Sequence, residues 1–366
     1  MQGLLTALAH GFKKWIGWKR LGIAASLFII AFAITTLVRT LKGVDGAVIL
    51  TALTDIPPGN ILLAALCVIG AFCTLTFYDF FALRTIGKKH VPYRIAALSS
   101  FTSYSIGHNI GATVFTGGAI RFRIYSDYGL NAIDVAKICF LSGLTFWLGN
   151  TFVLGIGMAL HPSAASAMDQ LPDAINRLIG IGGVAAILAY LGWLSLGENR
   201  RELGQHGWKV VLPSARLTVL QILIGVVDLT FCATAMYLLM PAQPHIDFLS
   251  LAVVFILATL LGFASHAPGS IGVFDAAMLL ALPQFGREQL LATLLVFRVL
   301  YFVIPFGTAI SIMGARELWM NVVVPWQQRR RLNGNFAPEA SASTPAPTSR
   351  PAPVPQRVKR LKSRVR

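Results

Sequence analysis

The sequence predicts an all-α integral membrane protein with six full transmembrane helices and two re-entrant helical hairpins in an inverted repeat, or eight spans by simple hydropathy. Three observations lead there: scarce charge, apolar runs of bilayer length, and Lys and Arg confined to alternate inter-run segments. Of 366 residues, 55% are apolar and 13% charged, and mean hydropathy is +0.67. Soluble domains run near 45–50% apolar and about 25% charged. So little charge cannot cover a soluble surface of this size, which excludes a disordered chain, a disulfide scaffold and an ordinary cytosolic enzyme. The net charge of +16 would suit a nucleic acid only as an exposed face on a soluble core, so no nucleic-acid partner is expected.

A hydrocarbon core about 30 Å thick takes roughly 20 helical residues. Residues 1–20 form a basic interfacial segment, with Leu4, Leu5, Leu8, Phe12, Trp15, Ile16 and Trp18 beside Lys13, Lys14, Lys19 and Arg20. Residues 21–41 are too long for the apolar region of a signal peptide, and Val38-Arg39-Thr40-Leu41-Lys42 offers no small-residue cleavage site. They are the first span, uncleaved. Further spans follow at 60–83, 135–160, 178–197, 217–240 and 290–315. Two stretches are less regular. Residues 95–118 are rich in Ser, Thr and Gly and contain His108 and Asn109, and residues 249–282 are broken at Ser265-His266-Ala267-Pro268-Gly269. The membrane domain thus covers 21–325. Residues 326–366 form a Pro/Ala-rich polybasic cytoplasmic tail that cannot bury enough apolar surface to fold. From Arg329 on, ten basic residues and Glu339 contribute +9 of the +16. The basic end from Arg357 to Arg366 suits anionic lipid.

Charge selects the topology. With both irregular stretches re-entrant and both termini cytoplasmic, 26 of the 31 Lys and Arg lie inside, and only Arg39, Lys42, Arg177 and Arg287 lie outside. Making both stretches full spans moves seven positive charges outside, including Arg121, Arg123 and Arg216, against the positive-inside rule. The re-entrant topology also divides the chain into two inverted halves, each three spans and a hairpin, a known transporter design. The sequence echo between the halves, Ile110-Gly111 against Ile271-Gly272, is weak.

Irregular backbone at membrane depth must be buried in protein or line a wet cavity, so the two breaks are the first place to look for a site. They fall at Gly107-His108-Asn109-Ile110-Gly111 and at Ala267-Pro268-Gly269-Ser270-Ile271-Gly272. Half-helices beginning there would aim free N–H groups inward and favour an anion such as phosphate. The alternative is a kink whose freed backbone is met by Ser and Thr. Asp228 and Arg298 lie within spans, where each alone costs about 2.5–3.5 kcal/mol by insertion scales. Either they pair, or Arg298 meets a lipid phosphate while Asp228 holds it or a coupling cation, with Asp275 joining the network. Asp79, near the end of its span, suits snorkelling or a pair with Arg84 as well as a functional role. Arg121 and Arg123 are candidates to capture a head group, with a solvated basic loop as the alternative. His108 and His266 sit one at each break, as structural histidines or proton carriers. Cys67, Cys73, Cys139 and Cys232 lie in apolar spans without metal spacing, and no HExxH, Walker A or GxSxG pattern occurs. No metal, cofactor or catalytic constellation is expected.

The runs Tyr78-Asp79-Phe80-Phe81-Ala82-Leu83-Arg84, 103–126, 266–275 and 298–305, the last including Tyr301, resemble the N-terminal membrane region of bacterial lysylphosphatidylglycerol synthases, the multiple peptide resistance factors. The resemblance covers about residues 15–325. It implies a bacterial inner-membrane protein that moves an anionic or aminoacylated, phosphatidylglycerol-like phospholipid between leaflets. The synthase domain of that family has no counterpart in the tail here, so no aminoacyl transfer is expected. The resemblance strengthens Asp79, Arg121, Asp228, Asp275 and Arg298 as lipid head-group or ion sites, alongside His108, Asn109, His266, Gly269, Ser270 and Tyr301. A second copy of the chain or a separately encoded synthase stays open as a protein partner. The rival is a non-transporting subunit that anchors or regulates such an enzyme through its tail.

The topology has a direct check. With the four native cysteines replaced, single cysteines at Ser126 and Gln205 should react with impermeant maleimide only from the cytoplasmic side. Periplasmic labelling of both would overturn the re-entrant arrangement.

Overall fold

The computed structural model describes residues 51, 54–111, 113–196, 202–203, 210–265 and 267–320. The expected first span, the interfacial segment, His266 and the tail lie outside the described residues. The packing below lies within the compact unit that ends at Arg316; the described residues 317–320 belong to a second unit.

The described part is helical apart from a two-residue pairing of β1 (Glu202–Leu203) with β2 (Val210–Val211). Helix α1 (Pro58–Thr85) starts at the Pro57-Pro58 pair, where a missing N–H costs nothing and φ is preset. Helix α2 (Tyr93–Ile110) ends at Gly111, whose φ of +83° an L side chain rarely adopts, and α3 (Thr113–Tyr125) follows. Helix α4 (Ala132–Leu160) opens with a capping box: Asn131 Oδ1 accepts from Asp134 N at 2.9 Å, and Asp134 Oδ2 accepts from Asn131 N at 3.2 Å. The short α5 (Pro162–Asp169) turns the chain into α6 (Asp173–Ser195). After the β pair come α7 (Ala215–Leu239) and α8 (Phe248–Ala264), the latter capped by Asp247 Oδ2 on Leu249 N and Ser250 N. A 3₁₀ turn (Pro268–Ser270) separates α8 from α9 (Val273–Ala281). Finally α10 (Arg287–Arg298), a π turn (Val299–Val303) and α11 (Ile304–Leu318) run on as one 32-residue helix.

Five of these stretches are long and apolar enough to cross a membrane: α1, α4, α6, α7 and the α10–α11 helix. Each lies within five residues of an expected span at either end. One boundary differs in a way that matters. The first break falls at Gly111 rather than across 107–111, because Gly107 through Ile110 continue the helix; Gly111 N bonds Gly107 O at 3.0 Å. The eight-residue α5 was not expected, since it is far shorter than a span.

Glycines set how closely the helices approach. At the α4–α7 crossing a Cβ on Gly149 would stand 2.7 Å from Gly225 Cα, and on α6 a Cβ on Gly180 would stand 2.6 Å from Gly155 O. Lipid supplies no hydrophobic drive between helices, so such small-residue contacts carry the association. The outer face of α6 is apolar and exposed at Leu178, Ile179, Ile181 and Leu188, as a lipid-facing helix requires.

Gly225→Val should force α4 and α7 apart and cost about 1–3 kcal/mol by overpacking, read as a lower melting temperature in detergent. Gly182→Ala, where an added Cβ meets nothing within 4 Å, should be neutral or stabilising by up to about 1 kcal/mol.

Candidate functional site

Two guanidinium–carboxylate pairs, one buried and one half-buried, hold the arms that follow the two breaks. On α3, Arg121 donates from Nε to both oxygens of Asp79 on α1 (3.0 and 2.9 Å) and from Nη2 to Oδ1 (2.9 Å). Tyr125 Oη and Ser142 Oγ donate to the same carboxylate at 2.8 and 3.2 Å. The Arg121 guanidinium also lies 4.8 Å from the centre of the Tyr104 ring. Asp79 is fully buried and Arg121 is 4% exposed. Removing two charges from water is tolerable only with such additional bonds.

In the second pair, Arg298 donates from Nε to Asp275 Oδ1 (3.0 Å) and from Nη2 to Oδ2 (2.6 Å). Its Nη1 bonds Gly269 O at 2.9 Å and its Nη2 reaches Ser270 O at 3.4 Å. Asp275 Oδ2 in turn accepts from Gly272 N at 3.0 Å. This guanidinium therefore fastens the loop of positive-φ residues Gly269, Ser270 and Gly272 onto the start of α9.

Asp228 on α7 belongs to neither pair. It is 5% exposed, and its neighbours are the hydroxyls of Thr74 and Tyr78 on α1, each at 3.2 Å. The expected alternative of an Asp228–Arg298 pair is thus not formed; Arg298 takes Asp275. Asp79 does not pair with Arg84, whose guanidinium lies over the Phe80 ring at 4.9 Å, but with Arg121. Arg121 lies inside a helix rather than in a solvated loop, and Arg123 approaches Asp127 at 3.5 Å. Asn109 Nδ2 bonds Ser105 O (2.8 Å) and Phe302 O (3.2 Å), tying α2 to the π turn. Tyr301 stacks on Phe297 with ring centres 5.3 Å apart.

Both breaks open on one cavity of about 400 Å³. Its wall includes Gly111 and Thr113 from the first break, Ala267 and Ser270 from the second, and Tyr104, His108, Arg121 and Ser142 between them. Among the described residues on this wall, Arg121 and His108 are the basic groups and there is no carboxylate; Arg298 does not reach it. An apolar groove of about 770 Å³ between α3 and α4 shares Val114, Phe115, Cys139, Gly143 and Trp147 with the cavity.

Sequence reasoning missed Thr74, Tyr78, Tyr125, Ser142 and Gly143. Tyr125 carries a signal, standing one helical turn after Arg121 on the same face. Ser142 reaches Asp79 from another helix, and nothing in its spacing announces it.

These features define a class: an all-α, multi-pass membrane protein in which two interrupted helical pairs meet at an internal cavity. The chain belongs to the family of the inner membrane protein YbhN of Escherichia coli (strain K12), to which it is 30% identical over 293 residues, 78% of this chain and 88% of that protein. It is likewise 30% identical over 265 residues to the uncharacterized protein slr0712 of Synechocystis, covering 72% of this chain and 80% of the relative. The phosphatidylglycerol lysyltransferase of Staphylococcus aureus (strain MRSA252) is 24% identical over 295 residues, 78% of this chain but 32% of that enzyme. The resemblance read from the 103–126 run is therefore a relationship to part of that enzyme. No protein-family model matches the chain.

Asp79→Ala would leave Arg121 buried without its counter-charge, at a cost of about 3–5 kcal/mol. Thermal unfolding in detergent should show the loss, and the double variant Asp79→Ala/Arg121→Met should recover most of it.

Proposed function

We propose that this protein moves a phospholipid between the leaflets of the inner membrane, with the head group in the cavity and an acyl chain in the α3–α4 groove. One observation carries this reading: a mainly apolar cavity at both helix breaks, with Arg121, Thr113 and Ser142 as polar points on its wall, shares residues with the apolar groove between α3 and α4. A lipid needs that combination, and a small solute does not. In this reading residues 93–125 and 248–281 are the two re-entrant hairpins of an inverted repeat with six full spans, and both termini are cytoplasmic.

The first turn of α3, on the cavity wall at Thr113, Val114 and Phe115, is the expected seat of the phosphate, because the first turn of a helix leaves N–H groups without intrahelical partners. Arg121 lies further along the same wall. With the Arg121 guanidinium and no carboxylate among the described wall residues, an anionic phosphatidylglycerol-like head group fits better than an aminoacylated, cationic one. The relative that acts on phosphatidylglycerol supports the same lipid class. Arg298 and Asp275 hold the second break rather than the lipid.

The test uses the full chain in vesicles containing tail-labelled phosphatidylglycerol and a leaflet-selective quencher. Wild-type protein should move the label several-fold faster than protein-free vesicles. Gly143, where an added Cβ meets nothing within 4 Å, lines both cavity and groove. Gly143→Leu should therefore slow transfer several-fold while leaving the melting temperature unchanged. Transfer by the variant at the wild-type rate, or by the wild type at the protein-free rate, would sink the proposal.

A further inference from the structure

Asp228 is a carboxyl buried in an apolar span and, among the described residues, no Lys, Arg or His contacts it. The polar groups that interact with it come from α1, α2, the π turn and its own helix. They are Thr74 and Tyr78 from α1, Cys232 from its own helix, Tyr104 from α2 and Tyr301 from the π turn. All are neutral hydroxyls or thiols in their ordinary protonated forms. The Arg121 guanidinium sits over the Tyr104 ring and is bound by Asp79, and that of Arg298 is bound by Asp275. A carboxylate left there as an anion would bear the full cost of burial without a counter-charge.

The hydrogen-bond arithmetic points the same way. Thr74 Oγ1 lies 2.6 Å from Ala71 O and 3.2 Å from Asp228 Oδ1. A threonine hydroxyl has one hydrogen, and the carbonyl at 2.6 Å takes it. The contact with Asp228 is then a hydrogen bond only if the carboxyl supplies the proton and the Thr74 lone pair accepts it. Tyr78 Oη, 3.2 Å from Oδ2, still has its own hydrogen to donate to the other oxygen. A neutral carboxylic acid satisfies the whole set, whereas a carboxylate would have to draw the Thr74 hydrogen away from Ala71 O.

Asp228 also sits where a change of charge would be felt. Thr74 and Tyr78 place it between α1 and α7, the helices that precede the two broken pairs. The Tyr78 ring meets Tyr104 edge-on at 6.0 Å, and Tyr104 meets His108 at 5.6 Å, both of the latter on the cavity wall. One aromatic side chain thus stands between the carboxyl and the cavity wall.

We infer that Asp228 carries a proton in this conformation and is the group through which lipid movement is coupled to a proton. The acid loses its proton to cavity water when that side is wetted, and the carboxylate takes one back before the α1–α7 interface closes dry again. The coupling rests on the proposed lipid movement; the protonation does not.

Two readouts separate them. Infrared difference spectra of the full chain in lipid at neutral pH should show a protonated-carboxyl stretch that disappears in Asp228→Asn and shifts to higher frequency in Thr74→Val, which removes one hydrogen bond. In the vesicle assay a pH gradient of one unit should change the wild-type transfer rate several-fold, and Asp228→Asn should lose that response. A carboxyl stretch that persists unchanged in Asp228→Asn overturns the protonation. Its loss in the variant, together with a wild-type rate indifferent to the gradient, overturns the coupling alone. No transfer by the wild type under any gradient overturns the proposed function and the coupling with it, while the infrared band still decides the proton.

Discussion

Backbone that leaves the helix within a bilayer must find its hydrogen-bond partners inside the protein, and the two breaks meet that demand with different chemistry. At Gly111 the partners are neutral. Thr113 Oγ1 reaches Gly107 O, Thr116 Oγ1 reaches Gly111 O, and the Asn109 amide bonds Ser105 O and Phe302 O. Around 265–272 an ionised network does the work, with Arg298 on two loop carbonyls and Asp275 on Gly272 N. The consequence is an asymmetry of charge. The second arginine is consumed by its own break, whereas the first, Arg121, is held from behind by Asp79 and remains on the cavity wall.

That division explains why the helices pack as they do. Asp79 accepts bonds from Arg121, Tyr125 and Ser142, which come from α3 and α4, so one carboxylate ties three helices together. Glycine contacts at Gly149–Gly225 and Gly155–Gly180 bring α7 and α6 against α4, and α4 becomes the common wall of cavity and groove. Asp228 is excluded from the ionic bonding because α7 meets α1 through Thr74 and Tyr78, one turn apart on a face of α1 rotated about 100° from Asp79. The two carboxyls thus have opposite surroundings, Asp79 crowded with cationic and hydroxyl donors and Asp228 with neutral groups.

The spans were legible because a run of about twenty apolar residues is decided locally. The second break was legible for the same reason: Pro268-Gly269 cannot continue a helix. The first was placed less sharply, since His108 and Asn109 look like loop residues yet stay helical, Asn109 by bonding back to Ser105 O. The pairings were not legible. Asp79 reads as a residue near a membrane end beside Arg84, but α1 continues to Thr85, and the two side chains point apart, one inward and one onto Phe80. Arg298 finds Asp275 rather than Asp228 because the break folds α9 back over α10, a tertiary fact that no spacing contains. The cavity was anticipated only as a consequence of the breaks; its continuity with the groove depends on Gly143 and Trp147, which carry no sequence signal.

A pathway for a charged head group has to bind it well enough to draw it from water and weakly enough to release it on the far side, the balance that also governs conduction through pores. An unpaired guanidinium in a site of low dielectric would hold a phosphate too firmly, since the attraction grows as screening falls. Arg121 with Asp79 behind it presents a guanidinium whose field is largely compensated, beside a helix terminus that offers partial rather than full charge. For the lipid movement proposed here, that weakening is an advantage: the pair that makes a buried arginine tolerable in the membrane also keeps it from becoming a trap.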